Sequence, residues 1–246
     1  MNAFVAEILG TMMLILLGNG VVANVVLNKT KGNDSGWIVI TFGWGMAVFV
    51  GVWIAGPFSG AHLNPAVSIA LAASGAENYG WDMVPTYILA QFIGAALGQL
   101  LVWLTYRDHY QVTEDQGGKL ATFCTAPAIK NTLNNLITEI VGTFALIFAV
   151  LFAAGPTFTS TAASDATIGL GTLGALPVGL LVLALGLSLG GPTGYAINPA
   201  RDLGPRIMHA ILPIPNKGDS DWGYAWIPVV GPIIGGLIAV GVYMLL

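Results

Sequence analysis

Charge is what this chain lacks. Of its 246 residues only 8% are Asp, Glu, Lys or Arg, against 55% that are hydrophobic, whereas a soluble domain carries roughly 25% charged residues. So little charge cannot cover a water-soluble globule of this size, and a mean hydropathy of +0.78 places the chain in a bilayer. Cysteine is almost absent: a lone Cys124 excludes an internal disulfide and a thiolate metal cluster. With a net charge of −4 and its few Lys and Arg scattered, the chain has no basic patch for nucleic acid. No nucleophile with a neighbouring base, no metal-ligand cluster and no phosphate loop is found. An enzyme is therefore not expected, nor is a cofactor or a bound metal.

What the chain has instead is a set of long uncharged apolar runs, near 8–27, 36–56, 84–106, 140–154, 168–190 and 224–246. About 20 residues of helix cross the hydrocarbon core, and most of the runs reach that length. The fourth is expected to begin earlier, near Asn131, which places Glu139 inside it. Unbroken hydrophobicity, rather than short alternating strands, makes these runs helices and not the wall of a barrel. The first run has no basic segment before it and exceeds the apolar length of a signal peptide, so it reads as a retained span. Asn28-Lys-Thr and Asn33-Asp-Ser match the glycosylation acceptor pattern, but such triplets are common by chance and carry no weight.

The chain is written twice. Glu7 stands in AEILGTMMLILL and, 132 residues on, Glu139 stands in TEIVGTFALIFAV. Asn64 and Asn198, each in an Asn-Pro-Ala triplet, are 134 apart, and Gly94 and Gly98 are echoed by Gly231 and Gly235, 137 further on. Landmarks in one order at nearly one offset mark an internal duplication. Each copy carries three crossings, an odd number, so the second enters from the opposite face and the repeats are inverted. The expected organisation is a single domain over 1–246, with repeats of about 1–110 and 131–246 joined by the loop 107–130.

Six spans leave both termini on one side. Lys29, Lys31, Arg107, Lys119, Lys130 and Lys217 all fall in loops on the other side, while the termini and the loops after spans two and four hold no Lys or Arg. By the positive-inside rule alone, the termini lie outside the cytoplasm.

The triplets Asn64-Pro65-Ala66 and Asn198-Pro199-Ala200 taken singly are ordinary helix starts, since Asn caps, Pro suits the first turn and Ala propagates. Matched copies in inverted halves mean more. Each opens only a short apolar run before Ser74-Gly75 in one case and Pro213 and Pro215 in the other, too short to cross, so each reads as a re-entrant half-helix. Inversion lets the two N-termini meet near the midplane, with both positive dipole ends and both asparagine amides at one point. The stretches before them, 57–63 and 191–197, are expected to be irregular, and at membrane depth such backbone is tolerated where it lines a watery cavity or is buried in protein. Carbonyls in a row with two amide donors suit a file of neutral polar solutes, and two positive helix ends repel cations, protons included.

Glu7 and Glu139 are intramembrane acids. A proton relay is one reading; acceptance of hydrogen bonds from the irregular loops explains better why they come as a pair. Arg201 is costly at membrane depth. It either reaches the surface, pairs with Asp202, or points its donors into the lumen, and the last is favoured because a buried arginine is by default functional. His109 and His209 suggest nothing.

AEILGT, SGAHLNPAV, TEIVGT, GYAINPARD and the glycine-marked third and sixth spans together resemble the major intrinsic proteins, the aquaporins and glycerol facilitators, over nearly the whole chain. The resemblance implies an all-α membrane protein with six transmembrane helices and two re-entrant half-helices, one pore per subunit, a homotetramer, and a multi-pass place in the cell membrane. It also implies cytoplasmic termini, against the loop charges. Arg201 corresponds to the selectivity-filter arginine, with Trp44, Gly186 and Tyr195 as the remaining walls. Water-selective relatives carry a histidine opposite the arginine; Gly186 stands there and is expected to leave space for a carbon chain. Ala61, His62, Leu63, Ala196 and Ile197 are expected to line the pore, although a single histidine such as His62 is more often a packing residue. Asp202, Arg206 and Pro228 resemble the glycerol-conducting branch, whereas Tyr195 stands where such facilitators often have phenylalanine.

The expected function is a passive channel for glycerol, other small uncharged solutes and water. Two alternatives stand beside it: a water-selective pore, and an ion-coupled secondary transporter, which normally needs coupling charges near the midplane where this chain places Asn64 and Asn198.

Overall fold

The computed structural model describes residues 1–77, 79–153 and 169–246, and among these every regular element is helical. In chain order they are α1 (Ala3–Val26), α2 (Trp37–Ser59), the short α3 (Pro65–Ala73), α4 (Val84–Thr105), α5 (Arg107–Val112) and α6 (Gln116–Ala121). Then follow α7 (Thr132–Leu151), a 3-10 turn at Gly171–Ala175 that leads into α8 (Leu176–Leu189), the short α9 (Pro199–Ile211), and α10 (Ile227–Tyr243). The ends at 154 and 168 that hydropathy assigns to the fourth and fifth runs lie outside the described residues.

Helices α1, α2, α4 and α7, and α8 taken with its 3-10 turn, are long and apolar enough to cross a membrane. At 17 residues, α10 extends about 25 Å, close to the core thickness. The chain is a multi-pass membrane protein. Helix α7 begins where expected, with Asn131 as its cap accepting a bond from Asn134 N at 3.1 Å, and it buries Glu139 completely.

The duplication is visible in the packing. Within the halves, α1 lies against α4 and α7 against α10. The repeated glycines make these crossings close: a Cβ on Gly94 would run into the Ile8 carbonyl, one on Gly98 into that of Met12, and one on Gly235 into that of Ile140. Between the halves, α3 packs on α10 and α9 on α4, so each half-helix lies against the last long helix of the other repeat. Helices α2 and α8 face each other and close the ring.

One expected boundary shifts. Helix α2 runs through Pro57 to Ser59 and stops at Gly60 with φ 79°, so the irregular stretch before α3 is 60–63 rather than 57–63. Proline costs a helix the bond its missing N–H would make, and at the end of a span this is tolerated. The linker 107–130 is also more than a loop. Its α6 region docks beneath the end of α9, where Leu120, Phe123, Leu212 and Ile214 share one core cluster.

Candidate solute pathway

Asn64 and Asn198 cap the two half-helices from extended backbone, and each is followed by proline in the first turn. The Asn64 side-chain oxygen accepts from Ala66 N at 2.9 Å; that of Asn198 accepts from Ala200 N at 3.0 Å and Arg201 N at 3.1 Å. Their amide nitrogens cross the pseudo-symmetry axis. Asn64 Nδ2 donates to the Ile197 carbonyl and Asn198 Nδ2 to the Leu63 carbonyl, both at 2.8 Å. This brace leaves each amide one further N–H, since the group carries two.

The loops before the caps fold alike. Gly60, Ala61 and Leu63 in one and Gly194, Tyr195 and Ile197 in the other all have positive φ, at matched positions 134 residues apart. For residues other than glycine this region costs on the order of 1–3 kcal/mol each, so something must hold the loops. Glu7 does so in the first repeat, accepting from His62 N at 2.9 Å, Leu63 N at 2.8 Å, Ser59 Oγ at 2.6 Å and Gln91 Nε2 at 2.8 Å. Glu139 does so in the second, accepting from Ala196 N at 3.1 Å, Ile197 N at 2.8 Å and Thr193 Oγ1 at 2.7 Å. Pinning the N–H groups inward turns the carbonyls of Gly60, Ala61, His62, Gly194, Tyr195 and Ala196 away. No hydrogen bond from the described residues reaches any of these six.

Those loops form one side of a cavity of about 160 Å³. Trp44, Ala61, His62, Leu63, Asn64, Tyr195, Ala196, Ile197, Asn198 and Arg201 all border it. The opposite wall is aliphatic, from Leu14, Val48, Val52, Leu146, Val150 and Val182. The passage is thus polar along one edge and oily along the other. At one end Arg201, only 6% exposed, lays its guanidinium over the Trp44 ring at 4.2 Å, a cation–π contact. Its Nη1 is buried without a partner, and Asp202 is engaged by Thr125 and Arg206, so the alternative pairing of Arg201 with Asp202, disfavoured in the sequence, is not the arrangement found. The positions of the first repeat that match Tyr195 and Arg201 hold Ala61 and Val67, which places the cation in one repeat alone. At the other end His62 both borders the cavity and is packed, with Tyr79 and Tyr87 at 4.3 and 4.8 Å and Ser68 Oγ 3.1 Å from its Nδ1.

Gly186 departs from expectation. It does not border the cavity: a Cβ built on it would lie 2.7 Å from Tyr195 Cζ and 2.8 Å from the Tyr195 hydroxyl. The space its missing side chain leaves is taken by the phenol ring, not by the lumen.

A model of the major intrinsic protein family matches residues 1–243. The chain belongs to that family. Among relatives of this major intrinsic protein is a glycerol uptake facilitator protein of Streptococcus pneumoniae, 60% identical over 245 residues, with 100% of this chain and 99% of the relative covered. A probable glycerol uptake facilitator of Thermotoga maritima is 55% identical, covering 99% and 98%. The X-ray structure of the aquaglyceroporin from Plasmodium falciparum superposes with a TM-score of 0.79 at 30% identity, covering 98% of this chain and 93% of that one.

In this major intrinsic protein Asp202, Arg206 and Pro228 do not border the cavity. Asp202 and Arg206 are fully buried and paired at 2.8 Å. Asp202 also accepts from Thr125 N and Oγ1, at 2.7 and 2.6 Å, while Arg206 reaches the carbonyls of Thr125, Ser220 and Asp221. The pair therefore ties α9 to two loops. Pro228, in the first turn of α10, stands 137 residues after Gln91 and supplies no donor, which is why Glu139 has one fewer partner than Glu7. Ser59 and Thr193 open the two matched motifs, 134 residues apart, but the sequence assigns their hydroxyls no role. Thr125 and Gln91 carry no such mark.

Proposed function

We propose that this protein is a passive channel for glycerol and other small uncharged solutes, passing water as well and excluding protons and ions. The observation that carries this is the two-sided cavity, with free carbonyls, two asparagine amides and an arginine along one edge and aliphatic side chains along the other. A polyol presents hydroxyls on one side and carbon on the other, and such a lining replaces its hydration while the oily wall accepts its backbone. The relatives named for glycerol uptake support the same substrate.

Trp44, Tyr195 and Arg201, with Gly186 behind the tyrosine, form the selective end. Asn64-Pro65-Ala66 and Asn198-Pro199-Ala200 form the central barrier, where two positive helix ends oppose cations. Glu7 and Glu139 support the loops and relay nothing, because each carboxylate is occupied by donors. The acids are held out of the lining, and no Asp or Glu is among the described residues that border the cavity, which disfavours ion-coupled transport. The filter holds no histidine opposite Arg201, which disfavours a water-only pore. The working unit is one channel domain of two repeats, about 1–110 and 131–246, assembled as a homotetramer in the cell membrane with cytoplasmic termini.

Stopped-flow light scattering on proteoliposomes tests the function. Both water and glycerol are expected to equilibrate well above the protein-free rate. Fast water with glycerol no faster than bare lipid refutes the glycerol channel, and glycerol flux that needs a proton or sodium gradient refutes a passive one.

A further inference from the structure

Tyr195 borders the cavity, yet its hydroxyl is buried and makes no hydrogen bond among the described residues. An unpaired hydroxyl in such a place is unfavourable, so its depth is dictated by the surroundings and not by a partner. The hydroxyl sits in the niche over Gly186. A Cβ built there would lie 2.8 Å from the hydroxyl and also 2.8 Å from Thr41 Cγ2, so both groups border the same niche. Thr41 is fully buried on α2. Its own hydroxyl turns back to the carbonyls of Trp37 and Ile38, at 3.1 and 3.0 Å, which leaves its methyl group facing the niche.

The rest of the frame is rigid. Trp37 meets the Tyr195 ring edge-on at 5.9 Å and donates from Nε1 to the Gly186 carbonyl at 3.0 Å. The tyrosine backbone is held at φ 40°, with the next two N–H groups bound to Glu139. With the backbone fixed, how far the ring projects toward Arg201 depends on what its hydroxyl meets at the bottom of the niche.

Resting on the channel function above, we infer that Thr41 is a positioning residue for selectivity: its methyl group, acting through the Tyr195 hydroxyl, sets the width of the slot. Thr41 borders no solute itself.

The test compares glycerol, erythritol and xylitol permeation in proteoliposomes. Thr41→Ser removes the methyl and keeps the hydroxyl that bonds within α2. The ring then seats deeper, and the erythritol-to-glycerol ratio is expected to rise about fourfold, the factor equivalent to one buried methylene-sized group. Gly186→Ala does the reverse, since its Cβ meets the ring and drives it toward the lumen; glycerol flux falls while water flux is retained. In a Tyr195→Phe background the hydroxyl is gone. Thr41→Ser is then expected to change nothing, whereas Gly186→Ala still narrows the slot because it meets Cζ. A Thr41→Ser shift that persists in Tyr195→Phe indicates general loosening of α2 and overturns the inference, as does an unchanged ratio in the intact background. A wild-type channel that passes no glycerol overturns the channel function and this inference together; one that passes glycerol without the ratio shift overturns this inference alone.

Discussion

Arg206 uses all five of its guanidinium N–H groups. Nε bonds Asp202, Nη1 bonds the Ser220 and Asp221 carbonyls, and Nη2 bonds the Thr125 carbonyl and Asp202 again. The neighbouring arginine in the same helix, Arg201, keeps a buried nitrogen unpaired. Two identical side chains five residues apart therefore do opposite work, one closing a structural network and the other left open to the passage. Removing one member of a buried pair strands the other, at a cost of about 3–5 kcal/mol. Arg206→Met is expected to lower the detergent melting temperature strongly, while Arg206→Met with Asp202→Asn loses less than the single change. Additive losses in thermal unfolding would show that the two do not share a network. In the sequence Asp202 and Arg206 are legible as residues that resemble the glycerol-conducting branch, and Asp202 also as an alternative partner of Arg201, but not as a pair with each other. Their partner Thr125 lies 77 residues from Asp202 and 81 from Arg206, on a loop with no motif, and nothing in its residue type announces the contact.

Among the helices, the crossings depend on an absence of side chain. At Gly98 the α1 backbone comes so near that a Cβ would lie 2.4 Å from the Met12 carbonyl oxygen. Gly98→Leu is expected to prevent α1 and α4 from closing, at about 3 kcal/mol or more, seen as loss of the monodisperse peak in size-exclusion chromatography. Normal yield with Leu would mean the helices do not touch there. Much at this scale is legible in advance: the spans, the start of α7 at Asn131, the half-helices and the glycine echo all follow from hydropathy and spacing. The loop backbone is not. Leu63 and Ile197 both have positive φ, a region their residue types disfavour, and it is the carboxylates arriving from α1 and α7, together with the crossed asparagine amides, that hold them there. Gly186 misled for a related reason: a missing side chain announces space but not which neighbour fills it, and here Tyr195 does.

For the whole molecule, the loop cations argue against cytoplasmic termini, but two of the six, Lys119 and Lys217, are tied up in the fold. Lys217 Nζ bonds the carbonyls of His209, Ala210 and Leu212, closing the end of α9, and Lys119, almost wholly buried, bonds the Pro215 carbonyl at 2.5 Å. Both ammonium groups are engaged by backbone carbonyls on that face, whichever side of the membrane it occupies, so they weigh less as signals of topology. With Cys124 replaced by Ser, a single cysteine at Leu245 is expected to react with an impermeant maleimide only after the cells are permeabilised; labelling of intact cells would reverse the orientation.

The bonds from Asn64 to Ile197 and from Asn198 to Leu63 also have a bearing on biogenesis. Asn64 leaves the ribosome long before residue 197 exists. The early half must therefore wait in the bilayer with its amide lacking its final acceptor, and the loop around it can settle only when most of the chain has been made. Insertion of the first three helices and completion of the passage are thus separate events in time, and a nascent chain released before residue 197 holds helices that span but no finished conduit.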